Sequence, residues 1–155
     1  MFNNMNLLST LALPLFLSLS CYSEAATVHY LPLPSGGEYR PTISIKDNGS
    51  VYYGSDVGYQ LLDCSSREYL CFRHNDFVFS FPNDDVTINQ EWQIDDIRFK
   101  VLSKEPLLVL GVSEEVYVIS DDEGNHFYYS IDGGLLGFRF QSVIYFSEGE
   151  FGYAF

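Results

Sequence analysis

The stretch from Val116 to Phe146 reads VYVISDDEGNHFYYSIDGGLLGFRFQSVIYF, and it decides the fold class. Three apolar runs are separated by two short turn-forming stretches, DDEGN and IDGG. In the first two runs, apolar residues alternate with their neighbours at the two-residue period of a strand. Gly124-Asn125 and Gly133-Gly134 supply residues that tolerate the positive φ of tight turns. We therefore predict a three-stranded antiparallel meander, with mostly buried side chains among Val118, Phe127, Tyr129, Leu136, Phe138 and Phe140.

Short apolar runs bounded by turn residues also fill the chain before this meander. Thr27 to Leu33 predicts a first strand, and Asn48-Gly49 between two apolar runs is a strong hairpin signal. Phe77, Phe79 and Phe81 face one way along a strand, which ends at the turn Pro82-Asn83-Asp84-Asp85. Asp95-Asp96 separates two further alternating pieces. Short strands are also expected around Cys64 and Cys71.

Two runs, Leu107–Leu110 and Val143–Phe146, are continuously apolar, so we expect both to be buried on both faces of a sheet. No segment keeps a helical period over three turns, and turn signals recur about every ten residues. These features predict an all-β fold, either a compact antiparallel sandwich or a small closed barrel of short strands. The expected organisation is a cleaved signal peptide over residues 1–25 and a single all-β domain over residues 26–155.

The N-terminal segment is typical of a signal peptide. Leu7 to Leu19 is an apolar run too short to span a bilayer comfortably, and Ser23-Glu24-Ala25 offers small residues for cleavage before Ala26. Residues 1–6 contain no lysine or arginine, which departs from the usual pattern. We expect a periplasmic or secreted protein. The alternative is a lipoprotein anchored through Cys21, although the preceding Ser18-Leu19-Ser20 matches a bacterial lipobox poorly.

Two cysteines remain once the leader is removed or Cys21 is lipidated. In an exported chain, an even number of remaining cysteines predicts a disulfide, here between Cys64 and Cys71. Six residues separate them, enough for the end of a hairpin. The spacing is not C-x-x-C, so neither a thioredoxin-type site nor a zinc knuckle is indicated.

The formal net charge is −13, and Glu24 is the only charged residue in the leader. Such a surface repels nucleic acid and anionic membranes and attracts basic proteins. The simpler interpretation is that the charge keeps a small, aromatic-rich domain soluble.

The sequence contains no recognisable catalytic apparatus, and we expect neither an enzyme nor a cofactor. His29, His74 and His126 lie in different elements without metal-ligand spacing, so no metal is predicted. The acidic segment Asp121–Asn125 does not fit the frame of a calcium loop and is interpreted as a hairpin turn. The segment Gly54–Gly58 does not fit the G-x-S-x-G motif of hydrolases. A hydrolase whose site assembles only in the folded chain remains an alternative.

Two short segments resemble known families. Ser35-Gly36-Gly37-Glu38-Tyr39 resembles the S-G-x-x-Y loop of bacterial lysozyme inhibitors, which form small β-barrels; the likeness covers five residues and carries over no site. Phe151-Gly152-Tyr153-Ala154-Phe155 resembles the terminal strand of outer-membrane barrels. The second resemblance implies an alternative, a small outer-membrane β-barrel protein. However, the continuously apolar runs Leu107–Leu110 and Val143–Phe146 lack the alternation of apolar and polar residues that barrel strands have.

The function favoured by the sequence is an exported, acidic, β-rich binding protein, such as an inhibitor or immunity protein against a toxin or hydrolase. Its partner would be a basic protein of the same compartment, and membrane contact is expected only if Cys21 is lipidated or the chain is a barrel. Charged turns at an interface steer the diffusional encounter of two proteins, and a nearby aromatic side chain can provide an anchoring contact in the complex. The predicted partner-binding residues are Asp84, Asp85, Asp95, Asp96, Asp121, Asp122, Glu123 and Tyr128.

Overall fold

A computed structural model describes residues 27–33, 42–46, 48–54, 57–75, 77–109, 111–140, 142–149 and 152. The predicted signal peptide with Cys21 and the Ser35–Tyr39 segment lie outside the described residues, as does the C-terminal pentapeptide except for Gly152. The described part of the chain contains no helix. Its thirteen strands are β1 Thr27–Leu33, β2 Ile43–Lys46, β3 Ser50–Tyr53, β4 Val57–Gln60, β5 Leu62–Asp63, β6 Tyr69–His74, β7 Phe77–Pro82, β8 Glu91–Ile94, β9 Ile97–Val109, β10 Val112–Asp121, β11 His126–Ser130, β12 Gly134–Phe140 and β13 Val143–Ser147.

The strands form two antiparallel sheets, which confirms the all-β fold class. The large sheet has ten strands in the order β4-β3-β2-β1-β13-β12-β11-β10-β9-β8, and the small sheet has the order β5-β6-β7. Among the described strands the large sheet is open, with β4 and β8 at its edges, so it does not form the closed barrel that was one of the two predicted architectures. The first and last of the described strands, β1 and β13, pair with each other, with Tyr30 opposite Ser147.

The meander at the centre has four strands where three were predicted. The third apolar run divides into β12 and β13, which pair antiparallel with Phe138 opposite Tyr145. Ser142 lies in the turn between them with a φ of 67°. A non-glycine residue with positive φ is uncommon. The residues around Ser142 therefore give no turn signal comparable to Asn-Gly.

Aromatic side chains fill the space between the two sheets. Strand β7 is buried along its whole length because it lies over the large sheet. Phe77 contacts Phe138 with ring centroids 5.0 Å apart, and Phe79 contacts Phe127 at 5.3 Å. Val118, Phe127, Tyr129, Leu136 and Phe138 are buried as predicted, whereas Phe140 is only half-buried. Loss of such rings from a core typically costs about 3–5 kcal/mol of folding free energy, so this interface dominates stability.

The predicted disulfide joins Cys64 to Cys71, with their Cα atoms 4.9 Å apart. It closes the turn between β5 and β6, where the Ser66 N–H donates to the Tyr69 carbonyl at 2.8 Å. The predicted hairpin at Asn48-Gly49 is present, with Ile45 opposite Val51. Asp95-Asp96, predicted as a turn or bulge, forms the turn of another hairpin, with Ile94 opposite Ile97.

The run Leu107–Leu110 was expected to be buried on both faces, and this is wrong for Leu107 and Leu108; the Val109 side chain and Leu110 lie outside the described residues. Leu108 is 72% exposed, and Leu107 is only half-buried. These residues lie near the tip of the β9–β10 hairpin, where the neighbouring strands have already ended. The run Val143–Phe146 is likewise only partly buried, since Tyr145 alone of its four residues is buried.

Candidate functional site

A cavity of about 470 Å³ lies at the end of β7, between the turn that follows this strand and strands β10 and β11 of the large sheet. It is within the size range of small-ligand pockets, about 300–1,000 Å³. Several of its lining side chains are exposed, so the cavity opens to solvent. The lining comes from the end of β7 and the turn after it, from β10 and from the end of β11: Phe81, Pro82, Asn83, Asp84, Asp85, Val86, Tyr117, Tyr129 and Ile131.

The inner wall of this cavity is aromatic. The Phe81 ring stacks on Tyr129 with centroids 4.2 Å apart and lies 5.5 Å from the Tyr117 ring. Burial raises the pKa of the Tyr129 hydroxyl above its ordinary value, so that hydroxyl stays neutral well into the alkaline range. The wall therefore presents packed rings and the neutral Tyr129 hydroxyl.

One cation lies beside that wall. The Lys104 ammonium is 5.2 Å from the centroid of the Tyr117 ring and 2.6 Å from a Glu115 carboxylate oxygen. The contact with Glu115 raises the pKa of Lys104, which keeps the ammonium charged. Because Glu115 balances this charge, the net charge at the cavity entrance is set by the remaining carboxylates.

Asp84 and Asp85 provide those carboxylates, and both side chains are exposed at the cavity. The turn that carries them is held to the small sheet. The Asn83 N–H donates to the Glu68 carbonyl at 2.8 Å, and the Asn83 amide nitrogen donates to the Ser66 and Arg67 carbonyls at 3.3 Å. These hydrogen bonds attach the start of the acidic turn, at Asn83, to the loop closed by the disulfide and so position its backbone.

The other predicted acidic turns lie at the opposite end of the large sheet. Asp95 and Asp96 form the two-residue turn between β8 and β9, and an Asp95 oxygen contacts the Arg73 guanidinium at 2.8 Å. Asp122 is nearby, since its N–H donates to the Arg98 carbonyl at 3.0 Å. The structure therefore separates the predicted acidic residues into two groups, one at each end of the sheet.

Asp121 differs from its two acidic neighbours because it is buried. Its carboxylate accepts hydrogen bonds from the Asn125 N–H and from the Asn125 amide nitrogen, both at 2.7 Å. This carboxylate therefore shapes the β10–β11 turn, whereas Asp122 and Glu123 are exposed.

Tyr128 lies apart from both acidic groups. It is half-buried on the face of the sheet opposite Phe127 and Tyr129, with its ring centroid 5.4 Å from that of Phe146. It packs against a second apolar cluster formed by Val116, Val118 and Leu136. The aromatic residues that do adjoin an acidic turn are Phe81, Tyr117 and Tyr129, and sequence reasoning missed them because they lie in three separate strands.

The three histidines do not come together. His29 Nδ1 is 2.8 Å from Ser44 Oγ, and His74 is buried beside Tyr59, with ring centroids 4.8 Å apart. Burial, aided by the Arg139 charge and opposed by Asp121, lowers the pKa of His126. Among the described residues there is no group of three or more histidine, cysteine or carboxylate side chains able to hold a metal ion.

A second cavity, of about 10 Å³, lies between the sheets and is lined mainly by apolar side chains with His74 at one side. It is near the smallest volume that admits one water molecule, so it is a packing gap. In the described part of the chain, no helix is long and apolar enough to cross a membrane.

A scan against protein-family models, a search of curated proteins and a search of solved structures each find no match to this chain.

Proposed function

We propose that this chain is an exported binding protein that neutralises a basic protein of the same compartment, as an inhibitor or an immunity protein does. The observation that carries the proposal is the cavity at Asp84 and Asp85, where two exposed carboxylates border an aromatic wall. Interfaces commonly combine such buried aromatic anchors with a charged rim that steers encounter.

The geometry supports a protein partner because the start of the acidic turn has a fixed position. Hydrogen bonds from Asn83 tie it to the disulfide-closed loop, so little conformational freedom is lost on binding. The high negative charge of the chain favours a basic partner. The disulfide is compatible with an oxidising compartment.

Association with the partner that co-purifies from the native compartment tests the proposal. Replacing Asp84 and Asp85 with asparagine should slow association about three- to ten-fold at low salt, with a smaller effect on dissociation. The difference should fade above about 0.15 M salt, where the Debye length is about 8 Å. The matched control is Asp122→Asn with Glu123→Gln, which removes the same charge at the other end of the sheet.

If on-rates at low salt stay unchanged in both double variants, the charge serves solubility and the proposal fails. If only the control slows association, the partner binds at the β10–β11 turn and the cavity is not its site.

Export has its own test. The N-terminal sequence of the native protein should begin at Ala26 or within a residue or two of it. An intact Met1 on the mature chain would contradict export, and a lipid-bearing Cys21 would assign the protein to the lipoproteins.

A further inference from the structure

The hairpin of β9 and β10 projects beyond the strands on either side of it. The adjoining strand β8 pairs with β9 only over Ile97–Lys100, and β11 pairs with β10 only over Tyr117–Ser120. Beyond those positions, residues 103–109 and 112–116 pair only with each other among the described strands. We call this part of the hairpin the arm. At about 3.4 Å per residue it is about 20 Å long.

Both edges of the arm carry backbone N–H and C=O groups that no described strand pairs, and such edges are templates for strand addition. The edge of β9 is the poorer template, because Pro106 has no N–H to donate. The edge of β10 carries Ser113, Glu114 and Glu115 and no proline. A strand added to β10 would lie along the line of β11, which ends at Ser130.

The charges of the arm select what can pair there. The described residues of the arm carry three carboxylates, Glu105, Glu114 and Glu115, and one cation, Lys104, which contacts Glu115 at 2.6 Å. A second copy of this chain on the same edge would bring Glu114 and Glu115 of β10 close to the same carboxylates of the other copy, and like charges opposite each other destabilise a sheet. Lysine or arginine side chains in the same places would stabilise it.

We propose that the edge of β10 at residues 112–116 binds an extended, lysine- or arginine-bearing segment of a different protein as an added strand. This inference deepens the proposed function and rests on it for the basic character of the partner. The next residue along β10, Tyr117, lines the cavity, and so does Ile131, the residue after β11. A strand added to the arm therefore ends beside Asp84 and Asp85, and the two surfaces form one continuous binding site.

The experiment measures amide hydrogen exchange of the mature protein with a defined probe, a capped ten-residue peptide of alternating threonine and lysine. The control peptide replaces each lysine with glutamate. The lysine peptide should slow exchange about ten-fold at alternate amides of residues 112–116, because an amide paired in a ladder is released only when the pairing opens. The glutamate peptide should leave these amides unchanged.

Two matched substitutions locate the contact. Glu114→Lys should weaken peptide binding about two- to five-fold, the range of one cross-strand ion pair. Glu105→Lys places the same charge change on β9 and should have a smaller effect. Slowed exchange on β9 instead of β10, equal protection by both peptides, or protection that grows with protein concentration in the absence of peptide would each overturn the inference.

The outcome is separable from that of the proposed function. If the Asp84→Asn, Asp85→Asn variant associates slowly but no β10 amide is protected in the partner complex, the inference about the arm is overturned. The proposed function is then still supported. If the lysine peptide protects β10 but the on-rates of that variant are unchanged, strand addition at the arm is supported. The cavity is then not the site where the partner first binds.

Discussion

The Trp92 indole nitrogen donates a hydrogen bond to Ser80 Oγ at 3.1 Å, and this bond joins β8 of the large sheet to β7 of the small one. Both side chains are buried, so water cannot replace either partner. The face of the Trp92 indole stacks on Phe99 with ring centroids 5.6 Å apart, which fixes the orientation of its N–H.

Ser80→Ala should therefore leave a buried indole N–H without its partner and lower the free energy of unfolding by about 1–3 kcal/mol. Urea unfolding followed by fluorescence measures this directly, since Trp92 is the only tryptophan in the chain. Ser103→Ala on the arm is the control, because the Ser103 hydroxyl donates to the exposed Glu105 side chain, and it should change stability by less than about 0.5 kcal/mol. Equal effects of the two substitutions would contradict a role for the Ser80 bond.

Removing the disulfide by Cys64→Ser with Cys71→Ser should destabilise the chain by about 2–3 kcal/mol, the loop-closure value for so short a loop. The measurement is the urea midpoint of the variant beside that of the oxidised and the chemically reduced wild type. The reduced wild type should match the double serine variant. A reduced protein as stable as the oxidised one would show that the bridge adds little to the hydrogen bonds of this turn.

Phe127→Ala and Phe138→Ala should each cost about 3–5 kcal/mol, because both rings are almost fully buried and contact rings of the small sheet. Leu108→Ala is the matched control, since its side chain is 72% exposed on the arm, and its melting temperature should be close to that of the wild type. Unchanged melting temperatures for both phenylalanine variants would contradict the packing between the sheets.

Stability should decline as the pH falls below about 6.5, in part because of His126. Burial and the Arg139 charge lower the pKa of His126 in the folded chain, so the unfolded chain takes up the proton first. The effect of this histidine is absent well above pH 6.5, begins near that pH and is complete once the pH has passed the folded pKa. Unfolding free energies of His126→Gln at pH 7.5, 6.5 and 5.5 should fall less steeply than those of the wild type. Parallel slopes would contradict the assignment.

Local sequence patterns predicted those parts of the fold that depend on neighbouring residues. The Phe77–Phe81 alternation, the Asn48-Gly49 turn and the cysteine spacing each involve a single strand or hairpin, where the period of two and the φ preferences of turn residues apply directly. The division of the third run of the meander was missed because the turn at Ser142 adopts positive φ without glycine or asparagine.

The exposure of Leu108 was missed for a different reason. An apolar run predicts burial only where other elements cover it, and β8 and β11 both end before they reach the arm. The cavity depends in the same way on long-range packing. Asp84 and Asp85 were identified as an acidic turn. Tyr117 and Tyr129 become their neighbours only when β7 of the small sheet packs against the large sheet.

The pairing of β1 with β13 sets the order in which this chain can fold. Tyr30 and Ser147 are opposite each other although most of the chain separates them, so the ten-stranded sheet forms only after the last strand has been synthesised. Until then, the strands β1–β4 and β8–β12 of the large sheet can only form two separate meanders. The unfinished chain therefore exposes the edges of β1 and β12 during synthesis, and this interval is when misfolding or recognition by a chaperone would take place.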